Sequence, residues 1–217
     1  MASVICCAMI AYRVIIGCEV RHAYLVWNLF LAWLPLVFAL FAIERFSVTN
    51  SLHDRKFLAL GIAWLLFFPN APYIFTDLVH ISLAKGRPTF WTELMIILLT
   101  AMTGFLAGFL SLRVMHGFVT RVWGWAAGWM FVMVVSGLAG FGVYLGRFTR
   151  LNSWDVLWNP FRLVHRAGMG AWSLATQTHH AKFFILFSLF LLLGYVMLFA
   201  LSKHSGENAT FRARGVE

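Results

Sequence analysis

The chain has 217 residues, of which 61% are hydrophobic and only 12% charged, against about 25% charged in an ordinary soluble domain. A soluble protein of this size cannot bury that much apolar surface and still cover itself with polar groups, so lipid must be the solvent for much of it. The net charge of +9 reads as basic loops beside anionic headgroups. No basic run interleaved with aromatics lies outside the apolar stretches, so nucleic acid is set aside as a partner.

In chain order, residues 2–18 come first. They are apolar apart from Ser3 and Arg13, but short for a span. The segment lacks a positively charged start and a small-residue cleavage site, so it is a poor signal peptide. It is read as an imperfect sixth span with Arg13 snorkelling or facing the bundle interior, the alternative being an interfacial helix. Cys6, Cys7 and Cys18 all fall here and read as small packing residues rather than a disulfide or metal set.

Five stretches then follow that each supply the roughly 20 apolar residues needed to cross about 30 Å of hydrocarbon: 24–43, 57–76, 91–112, 122–145 and 183–202. Short connections between them, including one over 113–121, predict antiparallel neighbours in one bundle and a single domain over 1–217. The fold class expected is therefore an all-α integral membrane helical bundle. Residues 156–172 mix Trp, Leu and Phe with Arg162, His165 and Arg166, and predict an amphipathic helix on the membrane surface. Gly104 and Gly108, Gly124 and Gly128, and Gly142 and Gly146 each lie four apart, a spacing that lets helix backbones approach. Packing within the bundle is the main reading, and oligomerisation through those faces the other. His22, His53, His116 and His204 read as loop residues. Lys and Arg divide evenly between the two sides and do not orient the chain.

The polar residues gather at one set of helix ends. Alternation of spans puts Asn28, the string FPNAPYIFTDLVH at 68–80, Glu93 and the string YLGRFTRLNSWD at 144–155 on the same face. Ionisable groups near hydrocarbon cost roughly 2.5–3.5 kcal/mol each and must be paired or used. Pro69 and Pro72 each remove an amide donor, and push Phe68 and Ala71 towards extended geometry. The third span is thus expected to break near Asn70, which can donate to the carbonyls set free. Asp77, His80 and Asp155 are the candidate catalytic groups. Asn28, Asn70, Tyr73, Glu93, Arg147, Arg150 and Asn152 are the candidate binding groups.

A purely structural network of ion pairs and interfacial aromatics explains the same residues without a ligand. No cofactor is implied. A divalent metal on Asp77, His80 and Glu93 is the sharper version of the site, but it has only one histidine.

The strings WNLFLAW at 27–33, FPNAPYIFTDL at 68–78 and YLGRFTRLNSWD at 144–155 resemble the motifs of the bacterial multi-pass membrane proteins known as domain of unknown function 1361. The resemblance implies a bacterial inner-membrane protein of about this length and supplies no activity. It departs from the family pattern in having Glu at position 93 and Leu at position 151.

Three functions compete. The first is an enzyme or binder for a lipid-linked or anionic substrate, with Arg147 and Arg150 clamping the anion, Asp77 or Asp155 as base and His80 as proton carrier. The second is a small-molecule or ion permease built on the broken span. The third is a non-catalytic membrane subunit that binds a partner or lipids. No nucleophile motif or phosphate-binding loop is present.

Overall fold

The computed structural model describes residues 2–17, 23–84, 86, 88–151 and 158–214, and side chains for 3–11, 24–79, 86, 88–151 and 158–203. Helix α1 (Ala2–Gly17) precedes α2 (Ala23–Thr49) and α3 (Arg55–Phe67). A four-residue turn of helix, α4 (Asn70–Tyr73), leads into a 3-10 run at Ile74–Ala84. Then come α5 (Phe90–Trp123), α6 (Trp125–Tyr144) with a π-helical extension at Leu145–Thr149, α7 (Pro160–Thr176) and α8 (Thr178–Arg214). Among the described residues there is no strand. Five helical segments are long and apolar enough to cross a membrane: Tyr24–Thr49, Arg55–Val79, Phe90–Trp123, Trp125–Thr149 and Thr178–Lys203. Helix α1, at 16 residues, reaches only about 24 Å. It packs against α2 and α5.

Local chemistry sets the ends of these elements. Asp54 caps α3: its carboxylate accepts the Phe57 N–H at 2.9 Å and two hydrogen bonds from Arg45 at 3.0 and 2.9 Å. The arginine and the backbone donor together hold the Asp54 carboxyl well below its ordinary value, at about 2.

The connection expected at residues 113–121 is helix. Nothing there forbids helical geometry, so α5 runs 34 residues, about 51 Å, and stops only at Gly124, whose φ of 89° suits a residue without a Cβ. Gly124 alone joins α5 to α6, and the exposed rings of Trp123 and Trp125 flank it. His116 is accordingly no loop residue. It is buried in α5, its Nδ1 2.7 Å from the Tyr195 hydroxyl, with the Arg113 guanidinium 4.3 Å above the Phe199 ring nearby. A buried polar group thus lies away from the helix ends where the polar residues gather. The last helix starts at Thr178 rather than near 183 and continues to Arg214.

Close helix contact in lipid depends on small residues rather than on a hydrophobic drive. A Cβ built on Gly104 would stand 2.9 Å from the Ala71 carbonyl oxygen, and one on Gly108 2.9 Å from the Ala71 Cβ. On the other side, a Cβ on Gly142 would stand 2.5 Å from Pro69 Cγ, and one on Gly146 3.0 Å from the Tyr73 ring. The broken span is clasped between the glycine faces of α5 and α6. Two buried hydroxyls without hydrogen-bond partners in the structure, Thr120 and Ser188, abut Gly128 and Gly140 of α6. Such contacts suit weak Cα–H to oxygen bonds at a helix crossing. Of the three glycine pairs, Gly104 with Gly108 and Gly142 with Gly146 pack inside the chain, whereas in the third only Gly128 does and Gly124 meets nothing within 4 Å.

A clasped break and the cavity it opens

The break follows from the prolines, in a form tighter than expected. Phe68 stays in right-handed helical geometry at φ −54° and ψ −39° and is not extended. Ala71 also lies within a helical turn. The path tightens instead: the Ala71 N–H donates to the Phe68 carbonyl three residues back at 3.2 Å. That leaves the Phe67 carbonyl without its usual backbone donor, and Asn70 Nδ2 supplies one at 3.0 Å. The sequence-based role of Asn70 as donor to a freed carbonyl is what the geometry shows. Beyond it the 3-10 run is 11 residues long, well past the usual 3–4. Its three-residue repeat eclipses positions 77 and 80 on one face.

Against this break lies a cavity of about 610 Å³, within the ordinary range for a small-molecule site. Asn28 of α2, Asn70, Tyr73 and Asp77 of the broken span, and Arg147 of the π-helical extension all line it. Five polar residues from three separate stretches thus meet in one space. Asp77 is buried, and its Oδ2 accepts from Asn28 Nδ2 at 3.3 Å. The Tyr73 hydroxyl sits in the fields of both Asp77 and Arg147. Apart from Tyr24, the rest of the wall is apolar, including Leu31, Ile62, Leu65, Leu138 and Phe141.

The chain turn after α6 builds the polar end. The Leu145 carbonyl accepts the Thr149 hydroxyl at 2.6 Å and the Leu151 N–H at 3.4 Å. Arg150 adopts a left-handed conformation at φ 53° to reverse the chain, a cost of about 1–2 kcal/mol for a residue with a Cβ. The reversal tucks Leu151 into the cavity wall. Helix α7 adds Leu163 to that wall, and Arg166 Nη1 donates to the Thr149 carbonyl at 3.2 Å. A Cβ on Gly170 of α7 would stand 2.5 Å from Leu145 Cδ2, which shows how tightly this helix seats. Its outward side exposes Phe161, Val164 and Trp172, the pattern of a helix lying in the membrane interface.

Other candidates are placed elsewhere. Arg150 is exposed and does not line the cavity. Glu93 is buried apart from it, at the start of α5, where its Oε1 accepts the Thr89 hydroxyl at 2.8 Å. A carboxylate there complements the positive end of the helix dipole. Asn152, Asp155 and the His80 side chain lie outside the described residues. Among the described residues no three His, Cys, Asp or Glu side chains are grouped to hold a metal, and Glu93 does not line the cavity that Asp77 lines.

Sequence reasoning missed Pro69, Leu151 and Leu163 as walls. It also missed His180, whose Nδ1 lies 2.7 Å from the Ser173 hydroxyl and 3.3 Å from that of Tyr144, tying α6, α7 and α8 together. The recurring small residues and the apolar side of residues 156–172 were the available signals.

No curated protein and no solved structure matches the chain. Residues 27–194 match the family described as protein of unknown function (DUF1361), a span that holds every described wall of the cavity except Tyr24, and the chain belongs to that family.

Proposed function

We propose that this is a bacterial inner-membrane protein that binds an anionic, lipid-linked ligand at one membrane face, with Arg147 as its charge anchor. The observation that carries this reading is the division of one cavity into a polar end and an apolar body. Irregular backbone at membrane depth is tolerated beside such a space. Among the described residues at the polar end, basic groups outnumber acidic ones. Arg147 lines it, Arg166 is tethered beside it, and Arg150 is exposed on the same turn. Asp77 is the described carboxylate on the cavity wall, where it accepts a hydrogen bond from Asn28. A phosphate or carboxylate entering there meets a guanidinium able to hold it through two parallel bonds. Tyr73 and Asn70 supply further polar contacts. Should the protein also act on its ligand, Asp77 is the group placed to take a proton.

Native mass spectrometry of the purified full chain in mild detergent tests this, with dodecyl phosphate and the zwitterionic dodecylphosphocholine as probes. Dodecyl phosphate should bind more tightly. Arg147→Ala should weaken it about tenfold or more, since a hydrogen bond to a charged group is worth roughly 1.5–3 kcal/mol. Equal binding of the two probes, or an Arg147→Ala variant that binds like the parent, would overturn the reading.

A further inference from the structure

Resting on that reading of the cavity, we infer that its ligand is a bilayer lipid with a net-anionic phosphate headgroup, and that it enters sideways from the hydrocarbon through a gap between α3 and α6. Both helices are well packed on other partners, α3 along α2, and α6 along α5 and α8, yet they meet each other only sparsely. The residues facing each other across this gap belong to two surfaces at once. Ile62 and Leu138 line the cavity, but are also 68% and 45% exposed on the outside of the bundle. A side chain that is both cavity wall and lipid-facing surface marks an opening.

The glycines agree. Gly61 and Gly137, one residue from Ile62 and Leu138, would each meet nothing within 4 Å if given a Cβ. On the same two segments, Gly142 and Gly146 admit no Cβ without moving Pro69 or the Tyr73 ring. The two segments are therefore clasped at the polar end, and they meet again on their inner sides, where the rings of Trp64 and Phe131 stack at 5.7 Å, so the opening lies on the outer faces that carry Ile62 and Leu138. Helices in close contact throughout would leave no route. Helices parted throughout would leave no anchor.

The polarity gradient runs in the direction a lipid needs. Along α6, Leu138 and Arg147 are nine positions apart, about 13 Å of helix rise, with Phe141 and Leu145 between them on the wall. An acyl chain lies along the apolar stretch and leaves by the gap while its headgroup reaches Arg147. Leu151 and Leu163 of α7 add apolar wall to the same cavity.

The test uses the full chain in lipid nanodiscs doped with phosphatidylglycerol carrying a diazirine in its acyl chain, followed by peptide mapping after illumination. Labelling should concentrate at residues 62–65 and 138–141, at least severalfold above the lipid-facing positions Ile185 and Leu189 of α8. It should fall in Arg147→Ala, and in Leu138→Trp, which fills the gap from an exposed position. The equivalent phosphatidylcholine probe should label the gap no more than α8. Labelling of the gap equal to that of α8 and indifferent to both substitutions would mean ordinary boundary lipid, and would overturn sideways entry. If dodecyl phosphate still binds in detergent in an Arg147-dependent way under that outcome, the anchor survives and only the route is wrong. If phosphatidylcholine labels the gap as strongly as phosphatidylglycerol, the anionic-headgroup assignment falls. Loss of dodecyl phosphate binding from the parent chain would remove the cavity reading itself.

Discussion

Gly142→Ala and Gly137→Ala place the same methyl group on the same helix, five residues apart, and should change stability in opposite directions. At position 142 the new Cβ meets Pro69 Cγ at 2.5 Å and Cβ at 2.8 Å. A pyrrolidine ring cannot rotate away as a flexible side chain can, so α6 must shift from the broken span. Overpacking of this kind costs about 1–3 kcal/mol, offset by up to about 1 kcal/mol from replacing glycine in a helix. At position 137 nothing lies within 4 Å, and only the gain of up to about 1 kcal/mol remains. The pair should therefore differ by about 1–3 kcal/mol, read as several degrees between their unfolding midpoints in one detergent. Adding Pro69→Ala to Gly142→Ala should recover part of the loss by removing the ring. A Gly142→Ala variant as stable as Gly137→Ala would mean that α6 and the broken span are not clasped there, and the shape assigned to the cavity would fall with it.

Asn70→Ala should destabilise by about 1–3 kcal/mol, the cost of stranding a buried acceptor, because it removes the donor to the Phe67 carbonyl. Thermal unfolding that is unchanged in this variant would show that water or backbone replaces it freely. Tyr195→Phe and His116→Phe should each destabilise, and the double variant should cost less than their sum, since the two groups satisfy each other in the bundle interior. Strict additivity would count against that pair. Asp54 titrates at about 2 instead of its ordinary 3.8, so the folded state prefers its charged form. The stabilisation is complete above about pH 4 and is lost as pH falls through 2. Asp54→Asn should flatten that acid limb of a stability-against-pH curve.

Much of this fold was legible because lipid imposes simple rules. Spans of the required length announce themselves, and two prolines around Asn70 announce a break. The meeting of Asn28, Asn70, Tyr73, Asp77 and Arg147 followed from counting alternate helix ends. What the sequence concealed was where apolar helices stop. Residues 113–121 carry charges that read as a connection, but charges do not end a helix, whereas Gly124 does. That single error turned the buried His116 into a loop residue. That Asp77 lines the cavity and Glu93 does not was equally hidden, because membrane depth is one-dimensional: it says that two groups lie at one level, not that they face one another.

The same limit explains why the cavity itself could not be read. A space between helices is a property of which glycines meet a neighbour and which do not, and sequence spacing treats them alike. Gly104, Gly108, Gly142 and Gly146 are each pressed against the broken span, whereas Gly61 and Gly137 face nothing. If poor packing were general here, none of these would be tight. If packing were uniformly good, none would be free. The close contacts hold α5 and α6 against the region where proline has already weakened the third span, and Asn70 satisfies the carbonyl that proline leaves. Gly61 and Gly137 lie beyond the clasp, on α3 and α6, where both helices regain regular hydrogen bonding and can part without stranding a backbone group. The gap thus costs little, and the break that positions Tyr73 and Asp77 is what holds it open.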